Sequence, residues 1–279
     1  RRTPYADRAA RWHHVAGMAG GLLAFTWVLS GLFSMNPWRV FDAPGPRPDR
    51  TAYAGGPLQA TSAPDPARLL QQLAEQGVAA REITWQRVGG EHLALAHGGG
   101  APRLFGAGAQ PLTQLPEATW QAAAARLLPG ARVVQQERLD RYDAWYYTRE
   151  PHTMTGPRDR PLPAWRLRFD DANDTWVVID PRSGAILQVS DGHRRIDRWL
   201  FAFLHSFDLP ALLALRPGWD LWMLGFSLAG TLLAGTAVVT GTRRLLRRVH
   251  HNPGQGAAPR PLLRNPGRAA AKTQGELPS

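Results

Sequence analysis

Two stretches of the chain run without interruption by charge. Residues 15–35 are 21 positions with no charged side chain and no proline, and residues 221–242 are 22 uncharged positions. Wound as helices at 1.5 Å per residue they measure about 31 and 33 Å, the hydrocarbon thickness of a bilayer. A core helix of that length in a soluble domain would show a polar stripe, so the pattern predicts two transmembrane helices. A third apolar stretch, residues 199–215, contains His205, Asp208 and Pro210. If it crossed, the arginines after residue 242 would end up on the outer side, so it reads as an amphipathic segment lying on, or dipping into, the outer face. Both predicted spans carry small residues at helix-contact spacing: Gly17 with Gly21, Gly225 with Ala229, and Gly230 with Ala234. Such spacing lets helix backbones approach closely.

Between the spans the periodicity changes. Residues 37–57 are rich in Pro, Gly and Arg and read as a linker. Residues 65–76 have helical spacing through Leu69, Leu70 and Leu73. Strand-like pieces follow at 81–88, 92–96 and 103–105, with a turn at 106–110 leading to Pro111 and Leu112. The pattern then repeats: a helix at 117–128, strands near 132–139, 145–149, 164–169 and 175–179, and a turn at 180–184 leading to a strand at 185–189. The predicted fold class is therefore membrane α-helical plus α+β: two transmembrane helices flanking a domain of two helix-plus-antiparallel-sheet units. The boundaries fall at 1–14 (inner flank), 15–35 (span), 36–57 (linker), 58–115 and 116–192 (the two units), 193–218 (outer-face segment), 219–242 (span) and 243–279 (basic flank and tail). Residues 252–279 are Pro, Gly and Ala with scattered Arg, a composition expected to be disordered.

Charge sets the orientation. The net charge of +11 comes almost wholly from arginine, Lys272 being the single lysine. Arg1, Arg2, Arg8 and Arg11 precede the first span; Arg243, Arg244, Arg247 and Arg248 follow the second. Positive flanks stay cytoplasmic, so both termini are expected inside and the domain outside, which is periplasmic in a two-membrane bacterium. Trp38, Trp219 and Trp222 suit the outer interfacial belt. This placement assigns the basic charge to a lipid bilayer and not to nucleic acid. The absence of cysteine excludes disulfides, thiolate metal sites, iron–sulfur clusters and covalently attached haem. No nucleophile elbow, phosphate loop or HExxH pattern occurs. The opening Arg1-Arg2, without Met, reads as the continuation of a longer chain.

Several motifs carry a family resemblance. Trp165-Arg166-Leu167-Arg168-Phe169-Asp170-Asp171, followed by Thr175-Trp176-Val177-Val178-Ile179 and Asp180-Pro181-Arg182-Ser183-Gly184, resembles the last strands of a PepSY module. Arg198 to Asp208, then Arg216-Pro217-Gly218-Trp219-Asp220 and Thr240-Gly241, is similar to PepSY-associated transmembrane proteins. So are Arg11-Trp12-His13-His14-Val15-Ala16-Gly17 and the run from Thr26 to Gly31. The resemblance covers roughly residues 8–248 and implies a bacterial inner-membrane protein. Some relatives carry haem b and reduce ferric complexes in the periplasm during siderophore and iron uptake. Other PepSY modules bind or restrain peptidases. Known relatives usually have further helices upstream, one of them bearing another histidine, so the partners implied are missing upstream helices or a second subunit. The ligand that the resemblance implies is a ferric siderophore or, in the non-enzymatic alternative, a periplasmic peptide or protein.

With haem b implied, the histidines become the candidates, because haem iron takes imidazole ligands offered from helices. His13 and His14 lie at the inner edge of the first span and His205 at the outer face, so about a bilayer thickness separates the two levels. Each then needs a partner elsewhere: for the inner position His250, His251 or a missing helix, for His205 a missing helix or another subunit. Interfacial histidines also cap helices or meet headgroups, and that plain reading stands beside the first. His92, His97, His152 and His193 have no metal spacing and are expected on the solvated surface. The aromatic run 142–147 with Arg158 and Arg160 offers a grip for an acidic or catecholate ligand, although core and belt packing is the preferred reading. Asp170, Asp171 and Asp174 form a turn with the makings of a weak cation site.

Overall fold

The computed structural model describes residues 7–98, 100–149 and 160–251, the last four as backbone only. His152, Arg158 and residues 252–279 lie outside the described residues. Two long helices dominate: α1 (Arg8–Ser34), capped by the Asp7 carboxylate on the Ala10 N–H, and α8 (Gly218–His251). Both are long and apolar enough to cross a membrane. A soluble core helix would be covered, yet only 17% of the most apolar window of α1 is buried and 0% of that of α8. Met18, Leu22, Val28, Leu224 and Leu228 stand exposed along them, an apolar surface far beyond what water tolerates on a monomer.

The two helices pack antiparallel. Arg243 pairs with Asp7 at 2.9 Å, Gly17 faces Leu233, and a Cβ added at Gly20 would lie 3.3 Å from the Ala229 Cβ. The basic ends expected on one side of the bilayer therefore lie together. The anticipated Gly17 and Gly21 pair is split by this register: Gly17 and Gly20 face α8, while Gly21 faces open space.

The domain holds two four-stranded antiparallel sheets, each in sequential order. The first unit runs α2 (Arg50–Ala54), α3 (Pro66–Glu75), β1 (Glu82–Val88), β2 (Glu91–His97), β3 (Arg103–Phe105) and β4 (Pro111–Leu112). The second runs α4 (Glu117–Ala124), β5 (Val133–Leu139), β6 (Ala164–Phe169), β7 (Trp176–Ile179) and β8 (Ile186–Ser190). Strand β2 is buried along most of its length because both faces are covered. Its Leu93 joins Trp120, Leu127 and Leu167 in a core around α4 that both sheets share, and its Ala94 and Ala96 lie under Leu69 and Leu73 of α3. Leucines on one face and alanines on the other follow from the two-residue period of a strand; the small side lets α3 settle close. The β1–β2 turn is Gly89-Gly90, with φ of 62° and 100°, the left-handed pair that a two-residue hairpin needs.

Two stretches depart from the sequence expectation. Residues 145–149 do not form a strand. The Asp143 carboxylate accepts the Trp145 and Tyr146 N–H groups at 2.8 Å each, closing a turn in place of a ladder, and β5 pairs directly with β6. The stretch read as a linker, 36–57, includes α2, whose Tyr53 is buried in the main core and donates to the Gly184 carbonyl.

After β8 the chain crosses to the helix pair through α5 (Gly192–Asp197), a π-helical turn (Arg198–Phe203), α6 (Leu204–Ser206) and α7 (Pro210–Leu213). The apolar stretch 199–215 is thus a broken path and not one long helix: Phe207 turns left-handed at φ 51°. It packs against the last turns of α1.

Candidate functional site

The fold gives His13 and His205 matching environments at opposite ends of α1. His13 Nδ1 lies 3.0 Å from Thr236 Oγ1 on α8, and His205 Nδ1 lies 3.0 Å from Ser30 Oγ on α1. Each hydroxyl already gives its single proton to its own helix: Thr236 to the Leu232 carbonyl at 2.8 Å, Ser30 to the Trp27 carbonyl at 3.0 Å. The hydroxyl must then accept from the ring, which places the proton on Nδ1 and the lone pair on Nε2. Among the described residues, Nε2 of neither ring makes a hydrogen bond. This is the arrangement that orients a ligating imidazole, with its other nitrogen held by a neighbour.

His13 and Ser30 are 17 positions apart on α1, about 26 Å of rise, so the two imidazoles lie at two separate levels. His205 sits among rings, its centroid 5.3 Å from Phe201 and 6.3 Å from Trp27. His14, next to His13, is exposed. His250 and His251 end α8, and the side chains there lie outside the described ones. Because Thr236 is level with His13, His250 is 14 positions further along, about 21 Å; it is not at the His13 level.

Above His205 lies a second constellation. Asp208, 6% exposed, pairs with Arg149 at 2.8 Å and accepts the Tyr147 hydroxyl at 2.8 Å. Arg198 Nη2 donates to the Tyr147 oxygen and to the Asp208 carbonyl at 3.1 and 3.0 Å. Burial raises the Tyr147 hydroxyl above its ordinary pKa, so it stays a donor. Trp145 ties the domain to the helices, edge-on to both Trp176 of β7 and Trp199 of the π-helical turn. Beside this junction open two clefts of about 320 and 550 Å³, which share Arg160, Gln188, Val189 and Arg194. Arg149, Arg195 and Arg198 also line the first, Arg47 and Arg50 the second. In the first, burial pushes the Asp197 carboxyl up against the opposing pull of Arg194, and lowers the Arg195 guanidinium against the pull of Asp174.

The other candidates are accounted for by local contacts except His193, which is half-buried and not on the open surface, its Nδ1 buried with no hydrogen-bond partner among the described residues. His92 is buried, not solvated, and its Nε2 accepts the Gln59 N–H; His97 meets Thr84. Asp171 caps Asn173 and Thr175, Asp170 pairs with Arg132, and Asp174 pairs with Arg168 and Arg195. The acidic turn is therefore satisfied by its own chain, and no group of three metal-ligating side chains forms among the described residues. In the aromatic run Tyr146 is buried and donates to the Pro161 carbonyl, while Trp145 packs at the junction and not in a membrane belt. Sequence reasoning missed the arginines of α5 and the π-helical turn. Arg194 and Arg198 stand at i and i+4, the spacing that gives one helix face, and that signal was available. No protein-family model matches the chain, and no curated protein or solved structure is similar to it at a significant level.

Proposed function

We propose that the chain is a PepSY-type protein of a bacterial inner membrane, with both termini cytoplasmic and the two-sheet domain periplasmic. In this reading His13 and His205 would each hold haem b by an imidazole, at two separate levels of the helix pair, and the protein serves as a reductase, or an accessory of one, in ferric-siderophore uptake. The observation that carries the reading is the matched setting of His13 and His205, each held through Nδ1 with a free lone pair on Nε2. At each level the residues present would supply one imidazole to the group; a second would have to come from elsewhere, a further helix or another copy. Bound there, the group would supply one-electron transfer. The chain's own part is to fix the two rings through Ser30 and Thr236, and to keep water from His205 with Phe201 and Trp27. The antiparallel packing and the basic ends lying together support the assigned topology. The non-enzymatic alternative draws on β5, a sheet-edge strand whose middle five positions are exposed, since an edge of this kind can take up an extended peptide.

Absorption spectroscopy of the full-length protein after haem-replete expression tests this. A Soret band is expected, and His205→Ala and His13→Ala should each remove part of it or shift a midpoint potential. Absence of the band would sink the haem reading and leave the peptide-binding one. An unchanged spectrum in a variant would clear that histidine.

A further inference from the structure

The paired clefts have a charge that the haem reading does not use. Among the described residues seven arginines (47, 50, 149, 160, 194, 195 and 198) line them, against three aspartates (42, 191 and 197), a charge of +4 for that lining. Arg149 is answered by Asp208 and Arg195 by Asp174; Arg194 reaches Asp191 only at 3.8 Å. Arg198 has no carboxylate within 4.0 Å among the described residues. Its Nη2 is tied to Tyr147 and Asp208 and its guanidinium lies over the Trp145, Tyr147 and Trp199 rings, yet its Nε and Nη1 are buried with no hydrogen-bond partner among the described residues. Leaving buried guanidinium donors unmade costs more than making them returns, so a small turn of Arg198 toward an acceptor in the cleft it lines would recover them.

The cleft's shape narrows the acceptor. Guanidinium groups converging from several elements match an oxyanion with several acceptor oxygens. Trp145, Tyr147 and Phe201 add an aromatic wall. Phe201 and Ala202 belong to the segment that leads into the helix pair, so the cleft opens at the height of the outer-leaflet headgroups if the proposed topology holds. We infer that this junction binds a phosphate-bearing polyanion, either the headgroup of an anionic lipid or a free phosphate compound, with Arg198 as its central donor and Arg194 and Arg160 beside it. The inference does not rest on haem, and none of its readouts is spectral, so either can fail alone.

The test uses the full-length protein. Calorimetric titration with pyrophosphate in neutral detergent is one arm. Native mass spectrometry from nanodiscs of phosphatidylglycerol or of phosphatidylcholine is the other. Pyrophosphate binding that weakens at least about tenfold in Arg198→Gln and severalfold in Arg194→Gln assigns a soluble ligand. Phosphatidylglycerol retained by the parent protein and lost from both variants assigns a lipid. Arg194 is largely exposed, so its variant keeps the test decisive should Arg198→Gln fail to fold. Binding of neither probe, or equal binding by parent and variants, overturns the proposal.

Discussion

Asp208→Ala is expected to destabilise the protein by about 3–5 kcal/mol, the usual cost of stripping one partner from a buried ion pair. The carboxylate is 6% exposed and its partner Arg149 10% exposed, so solvent cannot replace what is removed. Arg149 would lose a buried carboxylate partner, and the Tyr147 hydroxyl would lose its 2.8 Å acceptor. The loss falls on the seam between domain and helices, because Asp208 lies in the segment entering α7 while Arg149 and Tyr147 belong to the domain. Asp208→Asn keeps an acceptor for Tyr147 and should cost less. Denaturant unfolding followed by tryptophan fluorescence measures both, with Trp145 and Trp199 in contact across the same seam. A cost below about 1 kcal/mol for the alanine variant, the range of an exposed pair, would show that the seam does not depend on this network.

Gly20→Leu is the second large effect. A Cβ alone at Gly20 would lie 3.3 Å from the Ala229 Cβ, so a leucine there must push α1 and α8 apart. Overpacking of this kind costs about 1–3 kcal/mol. The register puts the His13 contact with Thr236 seven residues away, about 10 Å along the helix, so separation should also loosen the ring that Thr236 holds. Gly21→Leu is the matched control, since Gly21 faces open space. In detergent the first variant should melt well below the parent and the second close to it. Equal behaviour of the two would contradict the antiparallel register.

The regular elements were legible where local pattern and tertiary burial agree. Leu69 and Leu73 marked α3, and the alternation through 92–96 marked β2. The run 145–149 misled because three consecutive large aromatics look like strand. Their burial is provided instead by a turn closed on Asp143, a side-chain contact that propensity does not register. Residues 36–57 read as linker because Pro and Gly dominate, while Tyr53, the one anchor that makes α2 part of the core, is a single residue. The candidate site divides in the same way. His13 and His205 were visible as histidines bordering apolar runs. Their hydroxyl partners were not, since Ser30 precedes His205 by 175 positions and Thr236 follows His13 by 223. The cationic clefts collect arginines scattered from 47 to 198, and composition alone could only sum them.

Side-selective labelling tests the account most directly, and the chain's lack of cysteine makes single-cysteine variants clean reporters. Asp140→Cys lies in the domain, and Arg8→Cys and Arg244→Cys at the joined ends of the helix pair; all three positions are exposed. With a membrane-impermeant maleimide on intact spheroplasts, Asp140→Cys should label at once, and the other two only after lysis. Labelling of position 8 or 244 in intact spheroplasts, or protection of position 140, would contradict a hairpin that holds its domain outside the membrane.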